Sequence, residues 1–281
     1  MSTAVGTKQH KLEDLETVKF VVSALFDISV ERLGRLRAEF QKNQKFYVDI
    51  SELYANIKQT MKEHGDLRKK TTNVKKKIFI AFTSNARFYG SINSDVMRYF
   101  LEGIKNADDT DALVIGSTGK GFLENSSNAF PSVPSIVFAG DRPTKKEIKK
   151  FLEQVAGYEE VHIFYPSFVS VFSQKISEID ITHTASKSES KKTEPMEYIF
   201  EPELPKILTF FETRIRYLLF SRIVLESELA RTAARIFSIN RAQDRANKQI
   251  KTVRRAIQKD VDTFNDLRLL ESFAAISKWK K

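Results

Sequence analysis

The chain has 281 residues, 41% of them hydrophobic and 29% charged, an ordinary soluble composition with room for one globular core and an elongated part. The net charge of +10 points to an anionic neighbour: nucleic acid, a membrane surface or an acidic protein cavity. Cysteine is absent, which removes disulfides, zinc-finger sites and thiol nucleophiles from consideration. The first residues lack the apolar core of a signal peptide, and no apolar run approaches the length of about 18 needed to span a bilayer, so no transmembrane segment and a cytoplasmic location are expected.

The first predicted element is a long helix from about Lys11 to Met61, interrupted only by Gly34. Its heptad seam runs through Val22, Phe26, Ser29, Leu33, Leu36, Phe40, Asn43, Tyr47, Ile50, Tyr54, Ile57 and Met61. Ser29 and Asn43 are polar members of that seam, expected to fix register or to face solvent where helices diverge. A compact α/β unit follows. Lys77–Thr83, Ala112–Ile115 and Ser135–Ala139 read as buried strands. Val161–Tyr165 and Val169–Ile181 complete the sheet. Ser94–Lys105 and Lys145–Val155 have helical spacing, the second begun by Pro143-Thr144. Alternating strands and helices predict a mostly parallel sheet covered on its faces. Residues 182–197 have almost no apolar side chains and are expected to form a mobile loop.

From Pro205 to Lys281 there is neither proline nor glycine to break a helix after the first residue. A continuous helix there would be roughly 110 Å long. Ala246, Ile250, Val253, Ile257, Val261, Phe264 and Leu267 are spaced three or four apart, the seam of a coiled coil. Such a seam needs a partner, and the first helix supplies one. The predicted fold is therefore α/β plus a long α coiled coil: antiparallel N- and C-terminal helices with an inserted Rossmann-like domain. Its segments are 1–70, 71–200 and 201–281.

Sites for chemistry are few. Gly116-Ser117-Thr118-Gly119-Lys120-Gly121 follows a strand as a phosphate loop would. However, Val114 stands where a Walker-type loop has its first glycine, and Gly121 where it has the magnesium-binding Ser or Thr. A glycine-rich turn is the better reading. His10, His64, His162 and His183 show no metal-ligand spacing, and His162 reads as a structural histidine within a strand. No catalytic residue, metal site or cofactor site is predicted.

Several local patterns resemble the gamma subunit of F-type ATP synthases. Tyr198-Ile199-Phe200-Glu201-Pro202 is similar to that family's entry to its C-terminal helix. Ala233-Ala234-Arg235-Ile236, with Ala242, Asp244, Ala246 and Ile250, resembles its Ala-Ala-Arg-Met pattern. Thr83-Ser84-Asn85 with Gly90 and Asn93 resembles the Ser-Asp-Arg-Gly stretch after its first strand, and Ala24, Ile28, Arg32 and Leu33 match parts of its first helix. The chain departs from the family where Val21-Val22-Ser23-Ala24-Leu25 stands for its lysine-bearing segment, and at Asn85 and Arg231, both acidic in the family. It departs again at the tip: Gln258–Asp262 has no counterpart of the segment that engages catalytic subunits, and the final Gly-Gly-Ala element is missing.

The resemblance implies a non-catalytic rotor shaft inside a ring of three alpha- and three beta-type nucleotide-binding subunits, with an epsilon-type subunit and a membrane ring at its foot in a synthase. It places Val22, Arg254, Arg255, Lys259, Arg268, Lys278 and Lys280 toward that ring, although a solvated coiled-coil flank is the plainer reading of the charge run. Gly90, Asn93, Tyr198, Glu201, Pro202 and Arg235 are its motif positions near the foot. In a synthase the shaft would work at the inner face of the cell membrane. A paralogous F-type-like ATPase of wall-less bacteria, including those linked to gliding, is the alternative. A basic coiled-coil nucleic-acid scaffold ranks below both, because the basic residues are interleaved with acids and carry no groove-reading motif.

Overall fold

A computed structural model describes residues 2–63, 76–107, 110–125, 133–182 and 204–279. Two helices begin and end the described chain, α1 (Ser2–Glu63) and α5 (Leu204–Trp279). Between them lie β1 (Lys77–Phe82), α2 (Ile92–Lys105), β2 (Thr110–Ile115), α3 (Ser117–Asn125), β3 (Ser135–Ile136), α4 (Lys145–Val155), β4 (Glu160–Phe168) and β5 (Gln174–Asp180). By compactness the chain divides into two units, residues 1–31 with 236–281, and residues 32–235.

In the first unit the antiparallel seam is fastened by polar pairs at its flanks. Lys8 Nζ lies 2.5 Å from Asp260, Arg254 2.6 Å from Glu16, and Gln243 donates to Ser23 Oγ at 2.7 Å. Ala246 and Ile250 are buried in it, whereas Val261, Phe264 and Leu267 are exposed. Ser29 does not face solvent. It is buried, and its hydroxyl donates to the Leu25 carbonyl one turn back, which satisfies it without a partner helix.

The second unit is a three-layer sandwich. Its sheet has the order β3-β2-β1-β4-β5, with β5 antiparallel and the others parallel. One face carries α2 and α3, packed through Val96, Met97 and Phe100 on Ala81, Val114 and Phe164. The other face carries α4 together with α5 and α1. There Ile80, Phe82 and Ile163 meet Phe151, Ile215, Leu219, Phe220 and Tyr54. Every residue of α5 from Ile223 to Ala234 is buried, so this stretch has no solvent face. The predicted α1 seam holds here too, with Leu36, Tyr47, Tyr54 and Ile57 all buried.

Several sequence expectations differ from the structure for identifiable reasons. α1 starts at Ser2 and runs through Gly34 unbroken, because the packing of its seam outweighs the roughly 1 kcal/mol a mid-helix glycine costs. Of Gly116–Gly121 only Gly116 turns, with a left-handed φ of 103°; from Ser117 the segment is the start of α3. Gly119 serves close approach: a Cβ there would lie 2.6 Å from Val114 Cγ1 and 2.7 Å from Thr83 Oγ1. The third strand shortens to two residues because the next groups bond elsewhere: the Phe138 carbonyl accepts from Asn85 Nδ2, and Ala139 N donates to Glu147. Val169–Ile181 is not all strand: Ser170 N donates to Ser173 O in a turn that leads into β5. The helix start at Pro143-Thr144 is as read, with a complete capping box between Thr144 and Glu147. The predicted loop falls outside the described residues from 183 onward.

Candidate functional site

In an open α/β sheet, ligands ordinarily bind beyond the carboxyl ends of the strands, where the strand order reverses. Here the chain builds β2 and β3 on one side of β1 and then places β4 on the other, so the reversal lies between β1 and β4. That crevice is filled by the long helix. Ala230 and Ala234 of α5 pack against Tyr89 and Ile92, which follow β1, and against Phe168 at the end of β4. Two alanines at that spacing give the helix a flat face that can enter a narrow gap.

The loop of residues 83–91 wraps this contact. Arg235 donates through Nε to the Phe88 carbonyl (3.3 Å) and through Nη2 to the Arg87 carbonyl (3.1 Å), while its guanidinium lies 4.3 Å above the Tyr89 ring. Both Phe88 and Gly90 have left-handed backbones, at φ 68° and 66°. For Phe88 this costs about 1–2 kcal/mol, and it turns two consecutive carbonyls toward one arginine. Asn93 fixes the loop's base: its Oδ1 accepts from Ser84 N (3.3 Å) and its Nδ2 donates to Ser84 Oγ (2.8 Å). Asp141 fixes its crown, with Oδ1 accepting from Asn85 N (2.5 Å) and Ala86 N (3.1 Å) and Oδ2 from the Tyr89 hydroxyl (2.9 Å). Burial pushes the Asp141 carboxyl up, but the Arg231 charge, these two amides and Tyr89 outweigh it and hold it below the usual carboxylate range. Gly90, Asn93 and Arg235, three of the predicted motif positions, thus form one latch of loop onto helix.

A second polar cluster ties α1 to the same stretch of α5. Buried Glu228 pairs with Arg32 (2.6 Å) and Arg142 (3.0 Å), and Arg142 also reaches Glu39 at 3.0 Å. Glu226, also buried, accepts from Ser167 Oγ (2.7 Å) and the Tyr165 hydroxyl (3.2 Å). Burial, and then the Glu226 charge, pushes the Tyr165 hydroxyl pKa up. Sequence reasoning missed Asp141, Arg142 and both glutamates. The signal available was the run Glu226-Ser227-Glu228 with Arg231 and Thr232 in a helix that has no exposed side, where every polar group must find a protein partner.

The phosphate-loop question is answered by the amides of α3. Ser117 N donates to Asn85 Oδ1, Thr118 N to the Ser84 carbonyl and Gly119 N to Thr83 Oγ1. The first turn has no free donors to offer an anion. A pocket of about 370 Å³ lies beside it, lined by Asn85, Phe88, Asn93, Ser117, Thr118 and Phe122 among others. The amides of Asn85 and Asn93 and the hydroxyls of Ser117 and Thr118 are already bonded within the loop. His162 sits between Glu160 (3.1 Å) and Glu178 (2.7 Å) on the sheet surface, and among the described residues no cluster of metal-ligating groups occurs.

The predicted shaft positions form no single cluster. Val22 is half-buried on the seam side of α1, and Arg254 is held by Glu16. Arg255, Lys259 and Arg268 are exposed on α5. Tyr198, Glu201, Pro202 and Lys280, and the side chain of Lys278, fall outside what the structure describes. Among the described residues no helix is long and apolar enough to cross a membrane.

The family model for ATP synthase matches residues 7–260. The ATP synthase gamma chain of Clostridium novyi (strain NT) is 22% identical over 246 residues, covering 85% of each chain. Among solved structures, chains of two Euglena gracilis mitochondrial ATP synthase structures superpose with TM-scores of 0.64 (rotor, rotational state 1) and 0.66 (OSCP/F1/c-ring, rotational state 3). They are 12% and 13% identical; the matches cover 94% and 99% of this chain and 99% and 95% of theirs. A central stalk/c-ring structure of Tetrahymena thermophila mitochondrial ATP synthase gives 0.58 at 19% identity, over 79% of this chain and 99% of that one. With a gripped helix where a ligand crevice would be, and a family model spanning nearly the whole sequence, the chain belongs to the gamma-subunit family of ATP synthase.

Proposed function

We propose that this chain is the central rotor shaft of a rotary F-type ATPase, turning inside a ring of three alpha- and three beta-type subunits and coupling their ATP turnover to rotation. The observation that carries this reading is the stretch Ile223–Ala234 of α5, buried on all sides by sheet, α1 and latch loop. A shaft that transmits torque to its foot must not slip in it. Here slipping would break the Arg235 bonds, the Glu228 ion pairs and the alanine packing together. The chain's part is mechanical and non-catalytic, and its asymmetric surface biases each ring subunit by the difference in contact free energy it offers them. Arg255, Lys259 and Arg268 are the exposed cations that would meet acidic ring loops. The foot works at the inner face of the membrane beside an epsilon-type subunit and the membrane ring, and in a synthase the rotation is coupled to proton transport.

Purification of the tagged full-length chain from native membranes tests this. Nucleotide-binding subunits of two types and a membrane-ring subunit should copurify in one ATP-hydrolysing complex. A chain recovered without a hexameric ATPase would overturn the proposal.

A further inference from the structure

Arg231 is fully buried, the largest side chain in the described residues to be so. Among those residues no acceptor reaches its Nε, Nη1 or Nη2. Its guanidinium lies over the Phe82 ring (5.4 Å to the centroid) and the Tyr89 ring (6.0 Å), neither of which accepts a conventional hydrogen bond. A buried cation left in this state is destabilising, since its lost hydration is uncompensated unless the donors are met. Natural interiors satisfy such groups with protein, water or an ion.

The carboxylates close enough to act on Arg231 are engaged elsewhere. Asp141 accepts from two amides and a phenol, and Glu228 is bonded on one oxygen by Arg32 and on the other by Arg142. Neither carboxylate reaches the Arg231 nitrogens within hydrogen-bond distance. Charge counting points the same way. Four guanidinium groups gather here, those of Arg32, Arg142, Arg231 and Arg235, against the carboxylates of Glu39, Asp141 and Glu228. One positive charge is in excess.

We propose that Arg231 forms a binding site for a small monovalent inorganic anion of the halide class, held in the plane of the guanidinium between the latch loop and α5. A compact monatomic anion can accept several in-plane N–H bonds at once and restores neutrality to the cluster. The site is separate from the first turn of α3, whose amides are bonded within the protein.

Thermal unfolding of the full-length chain in rising sodium chloride or sodium bromide, against matched sodium gluconate, tests this. The anion binds only the folded state, so Tm should rise by equal steps for each tenfold increase in halide once the site fills, while gluconate gives no such steps. Arg231→Met should abolish the halide-specific rise. Because that variant could fail to fold, the wild-type protein crystallised in bromide supplies an independent reading: an anomalous peak in hydrogen-bonding range of the Arg231 nitrogens. Equal Tm curves in halide and gluconate, or a water or protein acceptor at that place in the bromide crystal, would overturn the proposal.

Discussion

Phe220→Ala asks whether the shaft helix and the sheet share one core. Phe220 is 0% exposed, and its ring lies 4.6 Å from that of Phe151 on α4 and 5.9 Å from that of Phe82 on β1. Truncation removes the ring and leaves a void that three elements line. The expected loss is about 3–5 kcal/mol, within which the two ring pairs contribute about 0.5–1.5 kcal/mol each. Single domains are stable by only about 5–15 kcal/mol, so this is a large share. Urea unfolding followed by far-UV and near-UV circular dichroism measures it. Both signals should move together to lower urea with an unchanged m-value. Phe273→Ala, at 67% exposure on the same helix, is the control and should fall within about 0.5 kcal/mol of wild type. A loss under about 1 kcal/mol, or a near-UV transition that stays while the helical one moves, would refute the shared core and make the α/β segment a domain that folds alone.

The glycines of α3 should respond in opposite directions: Gly119→Ala lowers Tm through overpacking worth about 1–3 kcal/mol. Gly121→Ala, with nothing within 4 Å of its new Cβ, raises stability by up to about 1 kcal/mol. Asp141 carries a depressed folded pKa, so its charge contributes stability that is present above the unfolded value of about 3.9 and is lost as pH falls through the folded one. The stability gap between wild type and Asp141→Asn should therefore shrink in acid; a gap independent of pH from neutrality down to the acid limit would remove Asp141's charge from the account. For Arg255→Gln with Lys259→Gln, the isolated chain should unfold within about 0.5 kcal/mol of wild type, while its binding to the nucleotide-binding ring weakens and loses part of its salt dependence. Unchanged ring affinity at low salt would place both residues on a solvated flank.

Much of the fold is legible because it rests on local regularities. The α1 seam, the strands β1 and β2 and the Thr144–Glu147 capping box are patterns within a few turns of chain, and each appears where its pattern lies. The latch was legible only as separate motif positions. Gly90, Asn93 and Arg235 stand out in the sequence, but the loop they share is also held by Asp141, remote from all three, and nothing near Asp141 marks it. Arg142 and Glu228 are likewise 86 residues apart. The start of α3 misled for another reason: three glycines read as a turn by propensity, yet only Gly116 turns, and Gly119 is required inside the helix by the closeness of Val114 and Thr83. Burial also reverses the apparent meaning of Arg231. By composition it adds to a basic surface; in the fold it is among the least accessible side chains in the molecule.

The alanine face seated between β1 and β4 makes the crevice and the helix competitors for the same space. Any small molecule with affinity for that gap could enter only by displacing Ala230 and Ala234, together with the Arg235 bonds they hold in place. By mass action such a compound would favour the released form of the helix, acting on this protein as a selective denaturant instead of a cofactor. Inhibitors sought against a gripped helix of this kind would thus be recognised by the Tm they lower.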